Sequence, residues 1–309
     1  FCFYIHITCL QILTIIIHYN ITCIYTCLKE YKMQSIKKFN LNDGTYIRYT
    51  EQGSGQPLLL LHTLRNRLEY SDELLPYLTK KFKVYVIDIP GHGDSPINKK
   101  TNYVHSFLTD SIVSFIEKLN LKNLTIAGES IGAVLAATIA IKIPSRIKKI
   151  FCFNAYDYDK RFAQGVMRGN FAATFLLFHV SLPLGIGVFF DSLQSYPILW
   201  MIFRGGVHKK SALKSEYLKL ACSSTKKPGF IYHHRNMFQN HKSRLNDGSL
   251  YKGLKTPVNL IYGESDWSKQ DEKLNTMKAL GLNSFHTMKE TGHFSFLESP
   301  KEVSEIILN

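Results

Sequence analysis

From about residue 36 onward, short apolar runs alternate with stretches of helical period. Four consecutive leucines, 58–61, follow Pro57; an unbroken apolar run of that length suits a strand covered on both faces. Residues 84–89, 124–127, 147–153 and 258–262 read the same way, and 284–288 gives the last strand signal. Residues 36–41 and 46–51 are two strands joined across Asn42-Asp43-Gly44, a hairpin turn. Helices are expected over 71–80, 103–119, 131–143 and 298–308. In the second, Val104, Phe107, Leu108, Ile112, Phe115, Ile116 and Leu119 repeat with helical spacing. The third is small or apolar almost throughout, as befits a helix buried against a sheet. Strand–helix alternation of this kind predicts an α/β fold.

Residues 156–252 break the rhythm, running for nearly a hundred positions without a strand signal. They are read as an inserted, largely helical cap on a core made of 33–155 and 253–309. The cap contains an apolar run, 171–190, that is long enough to span a bilayer but is broken by Pro183, Gly185 and Gly187, so a pair of cap helices is expected. It also holds 14 Lys and Arg against 5 Asp and Glu, most of the chain's net charge of +14. Such a surface favours anionic partners. The six cysteines contain no CxxC pair, which argues against a zinc ribbon or a thioredoxin-like site.

The first 28 residues lack Asp, Glu, Lys and Arg, and Lys29, Lys32, Lys37 and Lys38 follow. A membrane anchor with a cytoplasmic basic flank is one reading. A cleaved signal peptide fits less well, because the charged n-region and a small-residue cleavage site are missing. In a third reading residues 1–32 are upstream translation and the native protein starts at Met33. The protein is then cytoplasmic if it starts at Met33 and membrane-anchored if 1–32 belong to it.

The candidate chemistry lies at strand ends. Gly128-Glu129-Ser130-Ile131-Gly132 falls between a strand and a helix, where a sharp turn needs small neighbours and lifts a serine hydroxyl out of the sheet. The Ile131 N–H is then available to an oxyanion. His293, in Thr291-Gly292-His293-Phe294, follows the last strand and can return over Ser130 as a base. Asp266, in Gly263-Glu264-Ser265-Asp266, would orient that histidine, with Asp157 as the alternative acid. His62-Thr63-Leu64-Arg65 ends the leucine strand and offers a second oxyanion N–H, from Thr63 or Leu64. Arg65 or Arg67 either meets an anionic group of a substrate or forms a surface ion pair.

Together these residues resemble the α/β-hydrolase superfamily, particularly its cap-containing members near esterases, lipases and carbon–carbon bond hydrolases. Asp88-Ile89-Pro90-Gly91-His92-Gly93-Asp94-Ser95 is similar to the family's loop after its fourth strand, and residues 288–300 to its terminal signature. The resemblance implies an eight-stranded, mostly parallel sheet and no metal or organic cofactor. One departure is Thr63, where many relatives carry glycine; its side chain narrows the space beside a leaving group and disfavours bulky esters. Ser130 also argues against the epoxide hydrolases and dehalogenases of this fold, whose nucleophile is aspartate. A serine–alkyl ether would not be reopened by water.

The expected function is hydrolysis of an ester of a small or medium-length apolar acyl group through Ser130, His293 and Asp266, with Thr63 and Ile131 as the oxyanion hole. Leu64, Arg65, Glu129, Trp267 and Phe294 are the expected substrate contacts. Phe171, Phe175, Leu176, Phe178 and Trp200 are expected to supply apolar walls from the cap. The alternatives are cleavage of a carbon–carbon bond in a dienoate diketone by the same triad, and a non-catalytic ligand-binding protein. The expected partner is a small molecule, not nucleic acid, with membrane-surface contact through the cap or the N-terminal segment.

Overall fold

The computed structural model describes residues 35–309 apart from Leu184; the apolar segment 1–32 lies outside the described residues. Eight strands form one sheet: β1 (Lys37–Asn40), β2 (Tyr46–Gln52), β3 (Gln56–Leu61), β4 (Phe82–Ile87), β5 (Leu124–Glu129), β6 (Ile147–Phe153), β7 (Val258–Gly263) and β8 (His286–Met288). Their order across the sheet is β1-β2-β4-β3-β5-β6-β7-β8. β1 and β2 run antiparallel to each other and β2 antiparallel to β4, while the remaining pairs are parallel. The leucine run explains the position of β3. Leu58 and Leu60 pack into the core on one face of the sheet and Leu59 and Leu61 into the core on the other, all without solvent exposure. At roughly 2 kcal/mol per buried side chain, this favours a central over an edge location.

On the Leu59 face lie α1 (His105–Lys118) and α2 (Ile131–Lys142), through Ile112, Phe115, Val134 and Leu135. The Leu58 face is covered by residues 68–78, Phe296, and the C-terminal helix. The helix expected over 71–80 is instead a 3-10 turn, Leu68–Leu74, followed by one α-turn, Leu75–Leu78. Pro76 lacks the N–H that would carry a regular helix through this stretch.

Between β6 and β7 the chain forms α3 (Phe171–Val180), α4 (Ile186–Ser192), α5 (Tyr196–Arg204), α6 (Ser215–Ser224) and α7 (Phe230–Gln239), with no strand among the described residues. The 171–190 run is divided where Gly185, at φ 84°, takes a left-handed conformation that disfavours other residues. No single described helix is long and apolar enough to cross a membrane, though α4 and α5 together, bent by 94°, have the length and composition. After β7 come α8 (Gln270–Ala279), a short α9 (Ser295–Glu298) and α10 (Pro300–Leu308).

Candidate active site

Ser130 stands at the junction of β5 and α2 with φ 59° and ψ −118°, a conformation that an L-residue adopts only under constraint. The two glycines around it make the turn feasible. A Cβ on Gly128 would strike the Gly132 carbonyl, and one on Gly132 would strike the Leu61 carbonyl at the end of β3. The Ser130 N–H is fixed by the Phe153 carbonyl at 2.8 Å.

His293 is brought to this serine by the loop after β8. Its Nε2 lies 2.9 Å from Ser130 Oγ. Its Nδ1 lies 2.5 Å from Asp266 Oδ1, at the end of β7. This arrangement assigns the Nδ1–H to Asp266 and leaves Nε2 to accept from the serine. All three side chains are buried. Burial works to raise the Asp266 pKa; the histidine charge and hydrogen bonds from His293 and Ser268 outweigh it, holding the carboxyl below its usual range. The other Asp266 oxygen accepts from the Ser268 N–H at 2.9 Å and from the Ser268 hydroxyl. Trp267 stacks on the imidazole at a centroid distance of 4.0 Å and 19° between planes, and its indole N–H donates to the Gly205 carbonyl.

Two residues without a motif of their own, Asn154 and Gly206, secure this loop together with Glu298 of the terminal signature. Asn154, at φ 48°, donates to the His293 carbonyl at 3.0 Å and accepts from the Gly263 N–H at 2.7 Å, tying β7 to the histidine. Gly206, between α5 and α6, accepts the His293 N–H at 2.6 Å. Glu298 accepts the Gly292 N–H at 2.6 Å and the Lys209 N–H. The only sequence signal for any of them was Glu298, in the terminal signature.

A small cavity opens onto Ser130. Thr63, Leu64, Arg65, Trp267 and Phe294 line it, together with Tyr156, Val166, Ile202, Phe203 and Phe238. Ile131 packs its side chain into the core, so what it can offer the site is its backbone N–H, one of the first-turn groups of α2 without an intrahelical acceptor. The turn at Thr63 is pinned by His62, whose Nδ1 donates to the Thr63 carbonyl at 2.7 Å while Nε2 accepts from the Ile89 N–H at 3.0 Å. Burial pushes the His62 pKa down to about 4, which keeps the ring neutral in that role.

Several expected residues lie elsewhere. Glu129 does not reach the cavity. Its carboxyl is buried behind the serine, where it accepts from the Tyr70 and Ser295 hydroxyls and from the Phe296 N–H at 3.2 Å. Burial lifts its pKa to about 7 against the hydrogen bonds that oppose it. Phe171, Phe175 and Phe178 face outward, 83%, 48% and 54% exposed, so the cavity wall comes from α5, α7 and Val166 instead. Leu176 and Trp200 are likewise absent from the lining. Asp157 is engaged by the Tyr251 hydroxyl at 2.9 Å and the Thr276 hydroxyl at 2.8 Å, leaving Asp266 as the acid on His293. Arg67 is consumed by Glu69 and Asp94.

A family model described as the alpha/beta hydrolase fold matches residues 56–179. The chain is 29% identical over 118 residues to (E)-2-((N-methylformamido)methylene)succinate hydrolase of Acinetobacter baylyi, a match covering 38% of this chain and 44% of that protein. It is 22% identical to the uncharacterized hydrolase YugF of Bacillus subtilis over 88% of this chain and 96% of that one. Among solved structures, the meta-cleavage product hydrolase CumD from Pseudomonas fluorescens superposes with a TM-score of 0.70 at 18% identity, covering 88% of this chain and 96% of that one.

Proposed function

We propose, on the premise that the chain is a member of the α/β-hydrolase superfamily, that it is a serine hydrolase that cleaves carboxylic esters. The observation that carries this reading is the unbroken line Ser130 Oγ, His293 Nε2, His293 Nδ1, Asp266 Oδ1, with separations of 2.9 and 2.5 Å at its two hydrogen bonds. His293 takes the serine proton as the hydroxyl adds to the ester carbonyl, and Asp266 stabilises the imidazolium. The oxyanion is received by the backbone N–H groups of Thr63 and Ile131. His293 then gives the proton to the departing alcohol, and water repeats the sequence on the acyl-enzyme, releasing the acid and restoring the serine.

The largely apolar lining suits a small or medium-length apolar acyl group. Cleavage of a carbon–carbon bond would draw on the same three residues. A fluorophosphonate probe on the full chain is expected to label wild type and not Ser130→Ala. Ester turnover is expected to fall by at least about a thousandfold in that variant without loss of the folded state. Equal labelling of the two proteins overturns the reading. Turnover of dienoate diketones far above that of nitrophenyl esters transfers it to the carbon–carbon bond.

A further inference from the structure

Arg65 occupies a position that a structural arginine would not. It follows β3 with φ 63°, in the left-handed region, and it lines the cavity that holds Ser130. Its Nη2 donates to the Gln194 side-chain carbonyl, but Nε and Nη1 are buried without a partner. The neighbouring arginines are treated differently. Arg48 is saturated by Asp88, Glu69 and Asp94, and Arg67, two positions away, by Glu69, Asp94 and the Ser224 hydroxyl. An unpaired cation taken out of water is destabilising, and left-handed backbone adds to that cost.

The carboxylate that faces Arg65 is Asp191, but the two form no ion pair, and the Asp191 Oδ2 is itself buried without a partner. The Asp191 Oδ1 accepts from His234 Nδ1 at 2.7 Å and from the Gln194 amide. Gln194 is thereby turned so that its carbonyl takes Nη2, which leaves Nε and Nη1 of the guanidinium without an acceptor. Burial lowers the Arg65 pKa to about 10, so the group is still cationic at neutral pH. Charged N–H donors left without an acceptor call for an anionic oxygen, which a carboxylate supplies. Of the rest of the wall, Leu64, Val166, Ile202, Phe203, Phe238 and Phe294 are apolar, and the Tyr156 hydroxyl and the Trp267 N–H are taken by Asp159 and the Gly205 carbonyl, so Arg65 is the one charged group on it.

We propose that Arg65 is the anchor for a carboxylate on the substrate, so that the preferred ester is a half-acid: an apolar body with one free carboxylate at the end away from the scissile bond. The proposal rests on the serine-hydrolase reading for its catalytic consequence but not for the binding itself. The anchored charge would hold the ester carbonyl over Ser130 through fixed length, as remote binding energy does in general.

Two matched substrate pairs test this on the full chain. With the charge on the acyl side, mono-4-nitrophenyl glutarate is compared with its methyl-capped diester. With the charge on the alcohol side, the hexanoate ester of 6-hydroxyhexanoate is compared with that of methyl 6-hydroxyhexanoate. Wild type is expected to favour the anionic member of at least one pair by tenfold or more in kcat/KM, chiefly through KM. Arg65→Gln is expected to bring that ratio to about unity, and Arg65→Lys to recover part of it. No preference in either pair, or an equal ratio in wild type and Arg65→Gln, overturns the proposal and assigns Arg65 to internal balance of Asp191. Glutarate binding to Ser130→Ala, measured by calorimetry with and without Arg65→Gln, separates the two readings. Arg65-dependent binding together with a wild type that no fluorophosphonate labels keeps the anchor and removes the serine hydrolase. Labelled serine with no Arg65-dependent binding does the reverse.

Discussion

Around Ser130 the polar groups are held from several directions, whereas the outer side of α3–α5 is held by almost none. The serine turn is enforced by two glycines that tolerate no Cβ, the histidine loop by Asn154, Gly206 and Glu298, and the oxyanion turn by His62. On α3 and α4, by contrast, Phe171, Phe178 and Phe189 are 83%, 54% and 59% exposed, and Leu193 at the end of α4 is 44% exposed. The inner sides of the same helices supply Leu177, Leu199, Ile202 and Phe203 to the core. The difference separates two jobs. The strand ends fix atoms to within a fraction of an ångström for chemistry, while the helices provide a wall whose outer residues are free of packing demands.

The sharpest test of that difference is Gly128→Ala. The added methyl group meets the Gly132 carbonyl, which is backbone and cannot swing aside. A loss on the order of 3 kcal/mol or more in urea unfolding is expected, with fluorophosphonate labelling lost in parallel. An unchanged midpoint would mean that the elbow is looser than its geometry implies, and the contrast between the two regions would fail at its strong end.

Most of this architecture is legible in the sequence because it rests on local pattern. The strand runs, the hairpin turn and the small-residue helix after Ser130 each answer to one stretch of chain. Where the pattern falls silent, the structure explains why. Helix α8 escaped notice because its buried positions include Lys273 and Thr276, which give no apolar period to detect. The 171–190 run misled in the opposite way. It is apolar all round, so it marks helices without saying which side faces in, and Phe171, Phe175 and Phe178 were assigned to a wall that they turn away from. Ser130, His293 and Asp266 carry their own motifs, but the partners that orient them, Asn154 and Gly206, act through contacts between distant segments that no spacing encodes. Glu129 shows the same limit, since adjacency to Ser130 suggested a substrate contact while strand alternation points its side chain the other way.

Glu129 also offers a pH-dependent measure of how tightly the strand end is built. Its pKa rises from an ordinary 4.5 to about 7 on folding. Between those values the folded protein holds a proton that the unfolded chain releases, so the contribution of Glu129 to stability is fully present below about 4.5 and is lost as pH climbs through 7. Glu129→Gln removes this titration. Wild type is expected to lose about 1–3 kcal/mol more than the variant between pH 4.5 and 8, read as a steeper fall in Tm. Taking the difference between the two proteins cancels other titrating groups such as Asp157. Parallel Tm profiles would show that the Tyr70–Glu129–Ser295 contact carries no linked proton.

The smallest effect is expected on the outer helices, where it is the most diagnostic of the comparison. Phe171→Ser trades an exposed ring for a hydroxyl without opening a cavity, and the change in unfolding free energy should stay within about 0.5 kcal/mol. Phe203, one helix away, stacks on Phe294 at 4.9 Å and 17° and is 3% exposed, so Phe203→Ala should cost about 3–5 kcal/mol. If Phe171→Ser instead costs more than about 1 kcal/mol, its ring is covered in solution. Such a cost, if it grew with protein concentration, would identify the cover as a second copy of the chain, because only association makes stability depend on concentration.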